Sequence, residues 1–200
     1  VSRRQDEQKT LDNLRFIREQ TGAEIHADLV AGLPYSTYDT FSRDFDKLMA
    51  VRPQELQLGI LKRLRGAPID RHSQVCAMVY SKYPPYEIMQ NKDMSYAELQ
   101  RIKRIARYLD IFYNSGNFPH TVELLLGAQA SCFAAMDDFS RFIWENYQQT
   151  HKISIGRQTR ILFEYLQKYY PLQEIATALL ADYDGKGRKD NVCYLREILK

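Results

Sequence analysis

The pattern of apolar and polar residues over positions 24–61 changes its period twice and predicts two strands separated by a helix. Residues 24–31 (EIHADLVA) and 55–61 (ELQLGIL) alternate apolar and polar positions, as half-buried strands do. Between them, apolar residues recur at helical spacing. These residues are Phe41, Phe45, Leu48 and Met49. A connecting helix of this kind is typical of parallel strands, so we expect 24–31 and 55–61 to be parallel and joined by a right-handed crossover.

Residues at the ends of these segments support the same boundaries. Gly22 follows a first run of apolar residues at helical spacing and is placed to end that helix. Ser36 or Thr37 is placed to cap the second helix, and Pro53 comes soon after its end. Residues 9–61 are therefore predicted to form a helix, a strand, a helix and a strand, in that order.

The composition of the chain changes near residue 93. Residues 62–92 contain the stretches GAPI and YPPYEIMQN, which are typical of a packed surface loop with a short extended piece. Ser95 and Glu98 then have the spacing of a capping box. The apolar residues that follow at helical spacing are Leu99, Ile102, Ile105, Leu109 and Phe112, and Gly116 comes after them. Further helices are predicted over 122–126, 133–147, 157–169 and 172–181, then a loop over 181–191 and a short last segment over 192–200. We therefore predict an α/β region over 1–92 and an all-α domain over 93–200.

The two predicted strands have one apolar face and one polar face. Ile25, Ala27, Leu29 and Ala31 of the first strand, with Leu56, Leu58 and Ile60 of the second, are expected to face the helices. The opposite set is His26, Asp28, Val30 and Gly32, with Glu55, Gln57 and Gly59. Two interpretations stay open: an ordinary half-exposed sheet, or the interior of a β/α barrel that holds a polar ligand near the carboxyl ends of its strands. In the barrel interpretation, glycine at the end of a strand lets a ligand approach the backbone.

Composition and charge exclude several classes of protein. Of 200 residues, 44% are hydrophobic and 26% charged, which is ordinary for a globular chain, and no apolar run is long enough for a membrane span. The net charge of +3 is too small to argue for nucleic acid. The first residues, VSRRQDEQKTLDN, resemble no targeting peptide, so we expect a cytoplasmic protein whose chain begins inside a longer polypeptide.

The three cysteines are Cys76, Cys132 and Cys193, and no two of them have the spacing of metal ligands or of a redox motif. We expect three reduced, buried thiols. The four histidines are also scattered, and the acidic segments at 137–138 and 181–191 lack the spacing of a calcium loop. No metal site is predicted within this chain.

Three segments in the order found here resemble radical S-adenosylmethionine enzymes. HADLVAGLPYSTYDTFSRDFDKL is similar to a late barrel strand and its following helix, and VRPQELQLGILKRLRGAPI to the next strand and its exit loop. YPPYEIMQNKDMSYAELQRIKRIARYLDIFYNSGNF resembles the region after the barrel in bacterial members that also carry a cobalamin-binding domain. The resemblance covers essentially the whole chain and implies a remnant of a β/α barrel with few parallel strands, followed by a helical domain.

The resemblance also implies cofactors and site residues. Such enzymes hold a 4Fe–4S cluster by Cys-x3-Cys-x2-Cys and use S-adenosylmethionine, some of them with cobalamin. This sequence lacks the cysteine motif, so the parent protein is expected to be the enzyme and this chain alone to be inactive and without a cofactor. Val30 matches an apolar position that packs against the adenine, and Gly32 matches a family glycine. Asp28 stands where the pattern has Gly, and Tyr35 where it has Glu. The cofactor-facing positions implied by the resemblance and by strand parity are Asp28, Val30, Gly32, Gln57 and Gly59, with Lys62 just past the second strand.

Other partners follow from these expectations. The main partner is the remainder of the same polypeptide, and no membrane or nucleic-acid partner is expected. The basic run RIKRIAR at 101–107 is interpreted as the solvated face of an amphipathic helix. The first strand has an exposed edge, which loop 62–92 or a second copy of the chain is expected to cover, so a homodimer caused by truncation is one outcome. A different function remains open: a non-catalytic helical module that binds protein or nucleic acid.

Overall fold

The computed structural model describes residues 6–186 and 192–200, and the chain divides into two compact units, residues 1–106 and 107–200. The first unit opens with helix α1 (Glu7–Gln20), strand β1 (His26–Ala31), helix α2 (Tyr38–Met49) and strand β2 (Glu55–Ile60). This is the order of elements that the hydrophobic pattern predicts. The side chain of Asp6 accepts from the backbone N–H of Lys9 and so caps α1.

Strands β1 and β2 form a two-stranded parallel sheet, which confirms the predicted pairing. Helix α2 connects them, and Thr37 is its cap. The side chain of Thr37 accepts from the backbone N–H of Thr40, and the Thr40 side chain accepts from the backbone N–H of Thr37. This capping box satisfies donors at the start of the helix that would otherwise lack partners. The sequence therefore fixes where the crossover helix begins.

One face of this sheet and of its helices forms the core of the first unit. Phe41, Phe45 and Met49 of α2 are buried, as the helical spacing predicts. A neighbouring apolar cluster joins Leu11 of α1, Ile25 before β1 and Val51 after α2. Because the helices cover only this face, the apolar positions of the strands point to it and the polar positions do not.

The segment between β2 and the next helix is more ordered than the sequence predicts. A 3-10 helix spans Pro68–His72, and strands β3 (Val79–Tyr80) and β4 (Ile88–Gln90) pair antiparallel in a second small sheet. The residues before β4 also pair with the chain that leaves β2: Lys62 and Glu87 form an antiparallel bridge, and the N–H of Ile88 donates to the carbonyl of Leu61 at 2.8 Å. The YEIMQN segment therefore pairs at an edge, as expected, although not with β1.

Two of the tyrosines of this segment are exposed, although the loop is expected to cover the first strand. Tyr83 and Tyr86 are 77% and 47% exposed, and both are among the most exposed large side chains of the described residues. Tyr80 is half-buried beneath Arg63, whose guanidinium lies 5.7 Å from the Tyr80 ring centroid. The segment covers the end of the sheet through its backbone and through Ile88, and leaves the polar face accessible.

Helix α3 (Tyr96–Leu109) begins at the predicted capping box and continues as a π-helical stretch, Asp110–Asn114. The backbone N–H of Ser95 donates to the Glu98 carboxylate at 2.7 Å. Every apolar residue of the predicted stripe from Leu99 to Phe112 is buried. Gly116 has φ of +60°, a left-handed conformation that glycine adopts without strain.

The second unit continues with four longer helices and a short one. They are α4 (Pro119–Gly127), α5 (Cys132–Tyr147), α6 (Ile155–Leu166), α7 (Leu172–Asp184) and α8 (Cys193–Ile198). The prediction of helices is confirmed. The predicted loop over 181–191 is wrong at its start, because α7 continues to Asp184, and its residues 187–191 lie outside the described residues. Tyr183 is buried at the end of α7, which explains why the helix extends past the sequence pattern.

Aromatic side chains build the core of the second unit. Phe139 of α5 lies 4.9 Å from the ring centroid of Phe112 and 4.9 Å from that of Tyr165, and all three are fully buried. The aromatic residues are therefore core residues at helical spacing. The buried carboxylate of Asp182 accepts from the backbone N–H groups of His120 and Thr121, both at 2.8 Å, and so caps α4 from α7.

The basic run at 101–107 lies on α3 as an amphipathic helix, with Ile102 and Ile105 buried. Lys103 forms an ion pair with Glu87 at 2.6 Å, and Arg107 donates to the carbonyl of Thr150 at 2.7 Å. The cysteines differ from the prediction: all three are free, but only Cys76 is buried, Cys132 is half-buried and Cys193 is exposed. Among the described residues, no helix is both long and apolar enough to cross a bilayer.

Candidate functional site

The polar face of the parallel sheet brings four of the predicted site residues together. In the register of the sheet Asp28 lies opposite Gln57, and Val30 lies opposite Gly59. Asp28, Gln57 and Gly59 are exposed and Val30 is half-buried, whereas Leu56 and Ala31 on the other face are buried. The predicted alternation is therefore confirmed, and its polar side is an accessible surface in this chain. We call Asp28, Val30, Gln57 and Gly59 the polar sheet face.

A hydrogen-bonded group borders this face at the amino ends of the strands. His26 Nδ1 lies 2.7 Å from Glu55 Oε2, and the Gln57 amide donates to Glu55 Oε1 at 2.7 Å. The hydrogen bond from Gln57 and then that from His26 lower the pKa of Glu55 below its usual value. The Gln57 side chain is thus held toward Glu55, and Asp28 is its neighbour across the strands.

The carboxyl end of β1 is closed at Gly32, contrary to the expectation that a ligand approaches the backbone there. Gly32 is buried with φ of +87°, and a Cβ at this position would lie 2.5 Å from Ile88 Cγ2. The side chain of Asn91 donates to the Gly32 carbonyl at 3.1 Å. The close approach that requires glycine is therefore made by the chain's own β4 segment. Gly32 is a packing residue in this structure.

Gly59 has the opposite surroundings. A Cβ there would meet only Val30 Cγ2 at 3.8 Å and the Leu29 carbonyl at 3.9 Å, which are ordinary contacts, and the residue is exposed. No contact within the described part of the chain therefore requires glycine at this position. A small residue on an exposed sheet face leaves room for an external group.

Tyr35 stands at the corner after β1 with a left-handed backbone, φ of +63°. Its N–H donates to Asp93 Oδ2 at 3.1 Å, which holds this conformation. The ring is 59% exposed, with Lys92 Nζ 4.8 Å from its centroid and the His72 ring edge-on at 6.2 Å. Burial lowers the pKa of His72. A non-glycine residue with positive φ at the carboxyl end of a parallel strand is a feature that functional sites often show.

Sequence analysis missed His72 and Lys92 as members of this corner. They are far from Tyr35 in sequence, and neither belongs to a motif, so no local pattern identifies them. Lys62 lies where it is predicted, exposed just past β2, and pairs through its backbone with Glu87. The six predicted residues thus separate into the four of the polar sheet face, one packing glycine and one exposed lysine beyond the strand.

Possible metal ligands are not grouped over the described residues. Over residues 6–186 and 192–200, no three His, Cys, Asp or Glu side chains are grouped as metal ligands. Cys76 belongs to the first unit, whereas Cys132 and Cys193 belong to the second. A cluster of this kind needs thiolates that converge on its irons. The described residues therefore contain no such group of ligands.

A protein-family comparison gives one match. The family model described as a protein of unknown function, DUF4080, matches residues 76–200. This range contains β3, β4 and all the helices from α3 to α8, and leaves out the parallel sheet. No curated protein matches the chain. Because the family model covers more than half of the sequence, the chain belongs to the DUF4080 family.

Proposed function

We propose that the chain is the carboxyl-terminal part of a radical S-adenosylmethionine enzyme, in which β1 and β2 are late strands of the barrel. The main observation is the parallel register that places Asp28 beside Gln57 and Val30 beside Gly59 on an exposed face, while the other face is buried. Parallel sheets are usually covered on both faces. An uncovered face of this composition fits the interior of a barrel whose remaining strands come from elsewhere in the polypeptide.

In this proposal the polar sheet face lines the S-adenosylmethionine site. Val30 supplies an apolar contact for the adenine, as the resemblance implies, and Gly59 leaves space beside it. The Gln57 side-chain oxygen, which is not the atom that bonds Glu55, and the Asp28 carboxylate would serve as hydrogen-bonding groups for the ribose or amino-acid portions. The cluster of such an enzyme supplies the electron that cleaves the sulfonium. The residues of the polar sheet face would bind and orient S-adenosylmethionine and exclude water from it.

The family match is compatible with this assignment, but it supports only membership of the DUF4080 family. It covers residues 76–200, which contain the helical domain, and the family is one of unknown function. The corner at Tyr35, with Lys92 and His72 beside it, lies at the carboxyl end of β1, the end at which β/α barrels carry their active sites. We therefore assign Tyr35 and Lys92 to the rim of the same site.

The direct test uses the longer polypeptide that contains this chain. We expect anaerobic purification and reconstitution to give one 4Fe–4S cluster and reductive cleavage of S-adenosylmethionine to 5′-deoxyadenosine. Gly59→Val should reduce S-adenosylmethionine binding at least tenfold while the cluster content is unchanged, because the new side chain enters the space beside Val30. Gln57→Leu should weaken binding less.

Gln90→Leu is the matched control, since Gln90 is an exposed strand residue outside the polar sheet face. It should bind S-adenosylmethionine as the parent protein does. Absence of a cluster from the longer polypeptide, or binding unchanged by Gly59→Val, would contradict the proposal. The first of these results would favour the helical interaction module instead.

The chain by itself gives a second test. Reconstituted anaerobically with iron and sulfide, it should retain no stoichiometric cluster and should not cleave S-adenosylmethionine. One cluster per chain, measured by iron analysis after desalting, would contradict the expectation that this chain alone holds no cluster.

A further inference from the structure

A polar groove in the helical unit lies along α6, from Ser154 to Glu164. We call it the α6 groove. It has a volume of about 670 Å³, and its lining includes Tyr147, Ser154, Arg157, Arg160, Glu164 and Tyr194. This volume is within the range of small-molecule sites, roughly 300–1,000 Å³. Nothing in the proposed barrel function uses this region.

Two arginines present their charges to the groove. Arg157 and Arg160 are three residues apart on α6 and so lie on one face of the helix, about 4.5 Å apart along its axis. The Arg157 guanidinium carbon is 5.4 Å from the Tyr147 ring centroid, and that of Arg160 is 6.0 Å from the Tyr194 ring centroid. Stacking on tyrosine restricts both guanidinium planes but leaves their N–H groups available.

Neither guanidinium forms an ion pair with a carboxylate in the part of the chain that the structure describes. The nearby Glu164 carboxylate already accepts a hydrogen bond from the Tyr147 hydroxyl. Burial, followed by this hydrogen bond, raises the pKa of Tyr147 to about 12, so the phenol stays protonated and keeps donating to Glu164. The acidic residue of the groove is therefore engaged with Tyr147, while its two arginines have no ion-pair partner among the described residues.

A third observation comes from α8. The Tyr194 hydroxyl oxygen is buried and has no hydrogen-bond partner within residues 6–186 and 192–200. A buried hydroxyl without a partner is unfavourable, and native proteins usually satisfy such groups with protein, water or ligand. Tyr194 lines the same groove as the two arginines. Within residues 6–186 and 192–200, the groove thus combines two arginines that have no ion-pair partner with a tyrosine whose buried hydroxyl has no hydrogen-bond partner.

We propose that the α6 groove binds a small molecule that carries a phosphate or carboxylate group, held between Arg157 and Arg160 with the Tyr194 side chain as part of its wall. Two arginines on one helix face suit such an oxyanion because each guanidinium can donate two parallel hydrogen bonds. The start of α6, capped by Ser154, adds its favourable dipole to the same end of the groove. This inference does not depend on the proposed barrel function.

The test titrates the full chain with inorganic phosphate and, separately, with citrate, at constant ionic strength, and follows the side-chain Nε–H resonances of the arginines. We expect saturable shifts of Arg157 and Arg160 with at least one of the two anions. Preference for phosphate or for citrate identifies the group that the natural ligand carries.

Variants of the full chain separate a site from general charge attraction. Arg157→Gln and Arg160→Gln should each weaken binding about tenfold or more, and Arg160→Lys about threefold or more, because lysine keeps the charge but loses the planar donor pair. Lys168→Gln is the matched control: Lys168 also lies over aromatic rings, 4.6 Å from Phe142, but outside the groove. It should leave the affinity within twofold.

The urea midpoint of each variant shows whether it still folds. Tyr194→Phe is the mildest change, because it removes only the hydroxyl. It should weaken binding about twofold to fivefold. The proposal is overturned if neither anion shifts the two arginines, if the arginine variants bind as well as Lys168→Gln, or if only a nucleic-acid polymer binds.

Discussion

The parallel sheet and the helical core use their side chains in contrasting ways. In β1 only Ala31 is buried, and in β2 only Leu56. In α5, six residues are buried, and Phe139 contacts aromatic rings on two sides. The helical unit buries most of its large apolar side chains, whereas the polar sheet face is not packed against any helix within the described residues. The contrast shows that the helical unit buries many more of its apolar side chains than the two strands do.

The largest expected effect of a substitution is in the helical core. Phe139→Ala should lower the free energy of unfolding by about 3–5 kcal/mol, because it removes a fully buried ring and leaves a cavity. Val30→Ala on the polar sheet face should cost about 1 kcal/mol or less, since Val30 is only half-buried. Urea unfolding followed by circular dichroism measures both. If Phe139→Ala and Val30→Ala lowered the free energy of unfolding equally, the helical core and the polar sheet face would not differ in packing.

Two glycines of the sheet provide a matched pair for the next effect. Gly32→Ala should cost about 1–3 kcal/mol, since the new methyl overlaps Ile88 and the left-handed backbone disfavours alanine. Gly59→Ala meets no close atom and has no positive φ, so it should be neutral or slightly stabilising. Thermal unfolding of both variants tests this. A large loss of stability in Gly59→Ala would show that other residues of the chain fill the space beside Gly59.

Asp138 of α5 should make the helical unit sensitive to acid. Its carboxylate accepts from Tyr165 at 3.0 Å and from Tyr169 at 2.9 Å, and it pairs with Arg141. Burial by itself raises the pKa of Asp138, but these hydrogen bonds and the arginine outweigh it, so the pKa is lowered. A lowered carboxyl pKa stabilises the fold above the unfolded value near 4, and this stabilisation is lost as pH falls through the folded value.

Asp138→Asn should therefore cost about 1–2 kcal/mol at pH 7 and progressively less as the pH falls below about 4. The free energy of unfolding, measured by urea at several pH values, gives both numbers. Asp184→Asn is the control: its ion pair with Arg196 is exposed on both sides and should contribute under about 1 kcal/mol. A loss at position 138 that does not change with pH would show that the ionised form of the carboxylate is not the source of the stabilisation.

The smallest expected effect is association through the first strand. Within the described ranges, β1 pairs with β2 alone, so its other edge offers unpaired backbone groups. Light scattering at several concentrations should show reversible dimers of this chain. Val30→Lys should shift the equilibrium to the monomer, because it places a charge on the face that a second copy would cover. A strictly monomeric chain would show that this edge is protected.

Local sequence patterns were sufficient wherever a segment contacts its near neighbours. The alternation in 24–31 and 55–61 predicts both strands and both faces, and Thr37, Ser95 and Glu98 predict two helix starts. Each of these features depends on periodicity or on a hydrogen bond that spans three residues. Four of the six candidate site residues share one face for the same reason, since strand parity alone puts them there.

Contacts between distant residues could not be obtained in this way. The sequence Gly32-Leu33-Pro34 does not show that Ile88 packs against Gly32. It also does not show that Lys92 and His72 lie beside Tyr35. The pairing of Arg157 with Tyr147, and of Arg160 with Tyr194, likewise depends on how three helices pack. The sequence determined the elements, their boundaries and the polarity of their faces, because these follow from backbone period and local capping. Tertiary structure decided which glycine is a packing residue and which is open, and where cations meet rings, because such contacts join residues whose separation along the chain carries no pattern.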